Sequence, residues 1–138
     1  MKRLRGEDGQ GMISALLLLA GVLLPLMLLV ALFGRIEQGR LAAAQAARDA
    51  VRAAVEAPTP EQAQQAATQA LDRAQTETNI PLQLQLNGEF ARGSVLRARA
   101  NAEVTLASIP FFGSVGTVTV HSEAAAPVDR YRSLPQEP

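Results

Sequence analysis

The chain reads as an α+β protein built on a long N-terminal transmembrane helix that continues into a soluble amphipathic helix, followed by a second short helix and a small antiparallel sheet of about three strands. Three observations predict this. No charged side chain occurs between Asp8 and Arg35. Helix formers without an interior proline run on from Arg35 to Ala57. Beyond Pro81 the apolar period changes from helical to two. The 138 residues therefore divide into a basic leader (1–9), a transmembrane helix (10–34), a soluble extension of that helix (35–57), a small α+β head (58–126) and a polar tail (127–138) expected to be partly disordered.

The span is the plainest element. Met12 to Gly34 is a run of 23 residues in which Leu, Ile, Val and Phe fill 14 places. As a helix it is about 35 Å long, against a hydrocarbon core of about 30 Å. On the insertion scale the large apolar residues together contribute about −4 to −8 kcal/mol towards membrane integration. Pro25 removes one helical N–H near the middle, which a transmembrane helix tolerates with a local adjustment. Lys2, Arg3 and Arg5 ahead of the run also fit the basic start of a cleaved secretory signal. The run is too long for such a signal's apolar core of about 7–15 residues, and the nearest small-residue sites, within Ala42 to Ala46, lie well past Gly34. A retained anchor is the preferred reading. Arg35, Arg40, Arg48 and Arg52 balance the leader's cations, so counting positive charges does not orient the span.

After Arg35 the small apolar residues Ala43, Ala44, Ala47, Ala50, Val51, Ala54 and Val55 recur as a helical stripe, with Gln45, Arg48, Asp49, Arg52 and Glu56 opposite. Asp49 with Arg52 and Arg52 with Glu56 are spaced to pair on the wet side. A stripe of small residues lets helix backbones approach closely, which suits bundling with other helices. Ala57-Pro58 ends the helix, since the residue before a proline is driven out of the α region. Thr59 then supplies an N-cap, Pro60 the first helical position and Gln62 the fourth residue of a capping box, and the second helix runs to Thr78-Asn79.

Strand signals follow. Leu82, Leu84 and Leu86 alternate with Gln83, Gln85 and Asn87, while Leu96, Ala98, Ala100, Ala102, Val104 and Leu106 alternate with Arg97, Arg99, Asn101, Glu103 and Thr105. Asn87-Gly88 and Arg92-Gly93 make these a hairpin, one glycine in the loop and the other in a bulge. A third strand is expected over Thr117 to Ser122, after a loop from Ser108 to Gly116 that carries Phe111 and Phe112. Those adjacent rings either fill the core under the sheet or contact a partner or the membrane surface.

Composition narrows the chemistry. Without cysteine there is no disulfide framework, thiolate nucleophile or zinc-finger ligand set. His121, the one histidine, cannot build a multi-histidine metal site, and no metal site or cofactor is expected. With 13 basic and 13 acidic residues and few aromatics, the chain lacks the basic, stacking face of a nucleic-acid binder. A Ser/His/Asp set can be written with His121, Ser122 and Asp129, yet no nucleophile-elbow sequence surrounds any serine. His121 reads as an outward polar residue on a strand, and Arg97 and Arg99 as a solvated strand face that blunts edge pairing. No small-molecule substrate and no catalytic residue are expected; the chain reads as a membrane-tethered non-enzyme.

A short charged leader and then Gly9-Gln10-Gly11-Met12-Ile13-Ser14 entering a proline-containing apolar helix resembles the class III signal of type IV pilin-like proteins. The segments from Phe33 to Arg40 and from Ala46 to Ala54, with the ending Val118 to Ala126, resemble the TadE-like minor pilins, or pseudopilins, of tight-adherence pilus systems. The resemblance implies an N-terminus in the bacterial cytoplasm, a head outside the cytoplasmic membrane, cleavage by a prepilin peptidase, and partners among other pilin subunits and the assembly machinery. Gly9 would be the cleavage residue and Gln10 the new N-terminus, with Gly6 and Gly11 as alternative sites. Pilins commonly carry a glutamate where this chain has Ser14, a residue that offers a hydrogen bond but no charge to a neighbour's buried amine. The other reading of the same residues is an uncleaved signal-anchor protein whose outer α+β head binds a partner unrelated to pili.

Overall fold

The computed structural model describes residues 7–109 and 113–129, with side chains described for 11–106 and 116–129. Its elements are α1 (Glu7–Glu56), α2 (Pro60–Thr78), β1 (Leu82–Asn87), β2 (Val95–Ile109) and β3 (Gly113–Pro127). This is the expected α+β arrangement: a long helix with an apolar first half, a short helix and one three-stranded antiparallel sheet. The chain divides at Gly34 and Arg35 into two compact units. The first contains the apolar part of α1, which passes through Pro25 without ending. The second begins at Arg35, so residues 35–56 belong to the same unit as the sheet and are not a free extension ahead of a separate head.

Local chemistry sets the helix ends. The Ala57 N–H turns back to the Ala54 carbonyl at 3.3 Å, tightening the last turn of α1 before Pro58. Thr59 is extended (φ −130°, ψ 159°) and its Oγ1 accepts from the Gln62 N–H at 3.3 Å, with Pro60 opening α2. At the other end Asn79 adopts the left-handed conformation (φ 53°, ψ 30°) and its N–H donates to the Gln75 carbonyl at 2.8 Å. Gln75 Nε2 in turn donates to the Leu82 carbonyl, tying α2 to the start of β1.

The sheet order is β1-β2-β3, both pairs antiparallel, with registers such as Leu84↔Ala100 and Ala100↔Ser122. Strand alternation places Leu82, Leu96, Ala98, Ala100, Ala102, Val104 and Val120 on a buried face. That face packs against α1 and α2 in two clusters. One joins Ala50, Val51 and Ala54 to Ala63, Ala67 and Ala70 of α2 and to Leu96 and Ala98 of β2. The other joins Ala42, Ala43, Ala46 and Ala47 to Leu82, Ala100, Ala102, Val104 and Val120. Alanine meets alanine across this layer, so the helix backbone lies close to the sheet and space for larger side chains is scarce.

Three expectations about the sheet need correcting. Strand β3 spans Gly113–Pro127, well beyond the expected Thr117 to Ser122. Pairing with an equally long β2 outweighs the weak strand preference of its Ala124-Ala125-Ala126 exit. Gly88 and Gly93 both have positive φ (123° and 74°) and both sit in the long β1–β2 connection, so neither forms a bulge within a strand. Its closure is made by Ser94 Oγ, which accepts from the Ala91 N–H at 3.2 Å. Finally, Val128 is not tail: it is 1% exposed, its N–H donates to the Ser94 carbonyl at 2.8 Å, and it completes the first cluster.

Candidate functional site

The surface most distinct from that of a water-soluble protein is the first half of α1. Its large apolar side chains face outward on every side, from 45% exposed at Leu23 to 72% at Leu18, and only Leu32 is half-buried. Among the described residues this is the one helix long and apolar enough to cross a membrane, and none of its apolar window is buried by the rest of the chain. In water such a surface is strongly unfavourable; in hydrocarbon it is the expected exterior. By length and composition an N-terminal apolar helix of this kind could be a single membrane span or a signal anchor, and a signal sequence meets the same test.

The candidate processing residues lie at its start. Gly6 is outside the described residues, Gly9 and Gln10 are within α1, and Gly11 and Ser14 are exposed on it. Because α1 opens at Glu7, ahead of the expected start at Gln10, the bond after Gly9 is inside a helical segment. Glu7 and Asp8 of the leader fall in the first turn of α1.

The small-residue stripe has a different use from the one its pattern suggests. Ala43, Ala47, Ala50, Val51 and Ala54 are all buried, with Ala44 half-buried at the margin. What covers them is the chain's own sheet, through Leu82, Ala98, Ala100, Ala102 and Val104. The stripe is thus occupied within the fold and is not open for bundling with further helices. Gly39 extends it by one turn: a Cβ built there would fall deep inside the van der Waals envelope of Val104 Cγ2 and 3.2 Å from Val120 Cγ2. Its place in mid-helix, where glycine costs about 1 kcal/mol relative to alanine, is the sequence signal for such a close approach.

On the other side, α1 and α2 leave a shallow cleft of about 360 Å³. Its floor is Ala42, Ala53, Ala70 and Ala74, and its rim carries Asp49, Arg52, Glu56, Arg73 and Glu77. Of the two ion pairs expected on α1, Arg52 with Glu56 forms at 3.8 Å and Asp49 with Arg52 does not. Both partners of the pair that forms are largely exposed, so it contributes little to stability.

The open face of the sheet is polar. Glu123 on β3 bridges two arginines of β2, Arg97 at 3.5 Å and Arg99 at 3.3 Å. Because β2 is the central strand, these arginines do not guard a sheet edge as expected; they decorate the middle of a solvated face. His121 is exposed on the same face, opposite Asn101. Ser122 follows it on the strand and points to the other side, so His121 and Ser122 do not converge. Among the described residues no group of three or more His, Cys, Asp or Glu side chains is placed to hold a metal ion. Phe111 and Phe112 lie outside the described residues. No family model, no curated protein and no solved structure matches the chain.

Proposed function

We propose that this chain is a single-pass membrane component, minor-pilin-like and non-enzymatic, that acts in assembly of a tight-adherence-type pilus or a related secretion pseudopilus. The observation that carries the reading is the division of α1. One half is an apolar helix exposed on every face, and the other half is the spine of a small α+β unit. That pairing of a lipid-soluble stalk with a compact polar head suits a subunit held laterally in a bilayer until it is recruited. The leader with Gly9, Gln10 and Ser14, which resembles a class III signal, adds the direction: N-terminus in the cytoplasm, head outside the cytoplasmic membrane. Contacts with other subunits then fall to the apolar half of α1, since the stripe from Ala43 to Ala54 is covered by the sheet.

A second reading has its own support. Ser14 lacks the carboxylate that pilins use at that position, and the covered stripe removes one helix-packing surface. Both observations favour an uncleaved signal-anchor protein whose head binds a partner unrelated to pili. The mass and N-terminal residue of the protein from its native membranes, with and without the host's prepilin peptidase, separate the two. A chain beginning at Gln10 or Met12 only when the peptidase is present supports the pilin-like reading. An intact leader in both strains favours the signal anchor, and a start beyond Gly34 identifies a cleaved secretory signal and removes both.

A further inference from the structure

Strand β2 runs antiparallel to α1, towards the end of the second unit at which the helix enters it. Leu96 and Ala98 pack near Ala50 and Ala54, Val104 lies against Gly39, and the Thr105 carbonyl accepts from Arg35 Nη1 at 3.4 Å. Arg35 is the first charged residue after the apolar run. Yet β2 does not stop beside it. The strand continues to Ile109, paired with β3 through Ala107↔Val115 and Ile109↔Gly113. At about 3.3 Å per residue, this carries the two-stranded ribbon about 13 Å past Thr105.

Two features say what meets this ribbon. No Asp, Glu, Lys or Arg occurs from Val104 to Ser122, while the same strands carry Arg97, Arg99, Glu103 and Glu123 farther from that end. Among the described residues, β2 also has no third strand beside it beyond Glu103, because β1 begins at Leu82 opposite Ala102 and the Pro81 carbonyl is what reaches the Glu103 N–H. A two-stranded ribbon is at best marginal in water and needs an apolar surface to rest on. Arg35 follows directly on Gly34, the last residue of the apolar run, so the chain enters the second unit at this end.

We propose that the β2–β3 hairpin docks into the headgroup and acyl-chain boundary of the leaflet where the span ends, giving the protein a second membrane attachment. The boundary is the occupant this surface fits. Its polar side hydrates the exposed threonines at 105, 117 and 119, while full entry into hydrocarbon would strand the ribbon's unpaired edge groups. The two attachments together restrain the tilt of the soluble unit on the membrane. The inference rests on α1 crossing the bilayer, so its test includes a probe in the span.

The chain contains no tryptophan, which makes single-tryptophan variants clean reporters. The full-length variants Leu106→Trp, Thr117→Trp, Leu19→Trp and Gln65→Trp are reconstituted into vesicles of phosphatidylcholine and phosphatidylglycerol, with or without bromine on the acyl chains, and their emission is compared. Docking predicts quenching at 106 and 117 that approaches that of Leu19→Trp and is several-fold greater than that of Gln65→Trp, at the exposed N-terminal part of α2. Thr117 is exposed and pairs with Thr105, so its variant decides the matter if Leu106→Trp disturbs folding by circular dichroism. Quenching at Leu19→Trp alone overturns the hairpin contact and leaves the span intact, as it would if a protein partner covered the ribbon instead. Absence of quenching at all four positions overturns the span, and the hairpin contact with it.

Discussion

At Gly39 the helix lies so close to the sheet that a Cβ would meet Val104, and two opposing effects meet there. Replacing a mid-helix glycine with alanine favours the helix by about 1 kcal/mol. Here the added methyl runs into Val104, a β-branched side chain with little rotamer freedom, on a strand paired with β3 at Val118. Overpacking of this kind costs about 1–3 kcal/mol, so the clash outweighs the helix gain. Gly39→Ala is expected to lower the midpoint of urea unfolding of the solubilised protein, followed by circular dichroism. In a Val104→Ala background the same substitution is expected to become neutral or stabilising, because the obstructing methyl is gone; equal losses in both backgrounds would show that the two positions do not couple. Thr59 offers a simpler residue-scale case. Its hydroxyl accepts the Gln62 N–H, and Thr59→Ala is expected to cost about 1 kcal/mol in the same measurement, with Thr59→Asp retaining most of the stability.

The second half of α1 shows how an element can be identified correctly and its partner missed. Ala43, Ala47, Ala50, Val51 and Ala54 form the stripe that the sequence spacing announces, and all are buried. A small-residue stripe specifies close approach but not what approaches. Another helix and an alanine-faced strand satisfy it equally, and the pattern Ala98, Ala100, Ala102 on β2 is the matching half. The two roles give different outcomes for Ala47→Leu. If the stripe packs inside the fold, the larger side chain has no room beside Ala100 and Ala102, and the isolated, solubilised chain loses about 1–3 kcal/mol of stability. If it served only contacts between subunits, the isolated chain would unfold as before and only assembly would suffer. Helix boundaries at Ala57-Pro58 and Thr59-Pro60 were legible because proline and capping chemistry act locally. The full length of β3 was not, since its alanine-rich end is a strand only through pairing with β2, and Val128 is core only because the Ser94 backbone receives it. The Glu123 bridge to Arg97 and Arg99 was hidden for the same reason: it needs the register, which no single strand carries.

At the scale of the whole molecule, the two units differ in what their apolar residues do: those of the first are exposed, while those of the second build the buried clusters. Among the described residues, the buried members of both clusters are drawn from the second unit. Membrane retention and folding of the head are therefore expected to separate under mutation. Leu23 is midway along the run from Met12 to Gly34. Replacing it with arginine exchanges a contribution of about −0.5 kcal/mol for one of about +3 kcal/mol at the helix centre. Against a total of about −4 to −8 kcal/mol for the run, one such change weakens insertion, and the pair Leu19→Arg with Leu23→Arg brings the balance near zero. The single variant is expected to resist alkaline extraction in part, and the double variant to leave the membrane fraction. Because neither position belongs to the buried clusters found among the described residues, the released double variant is expected to keep the strand and helix signals of the second unit in circular dichroism. Full retention of the double variant after alkaline extraction would mean that something other than hydrocarbon burial of this helix holds the protein, and a loss of the head's signal would mean that the two units do not fold independently.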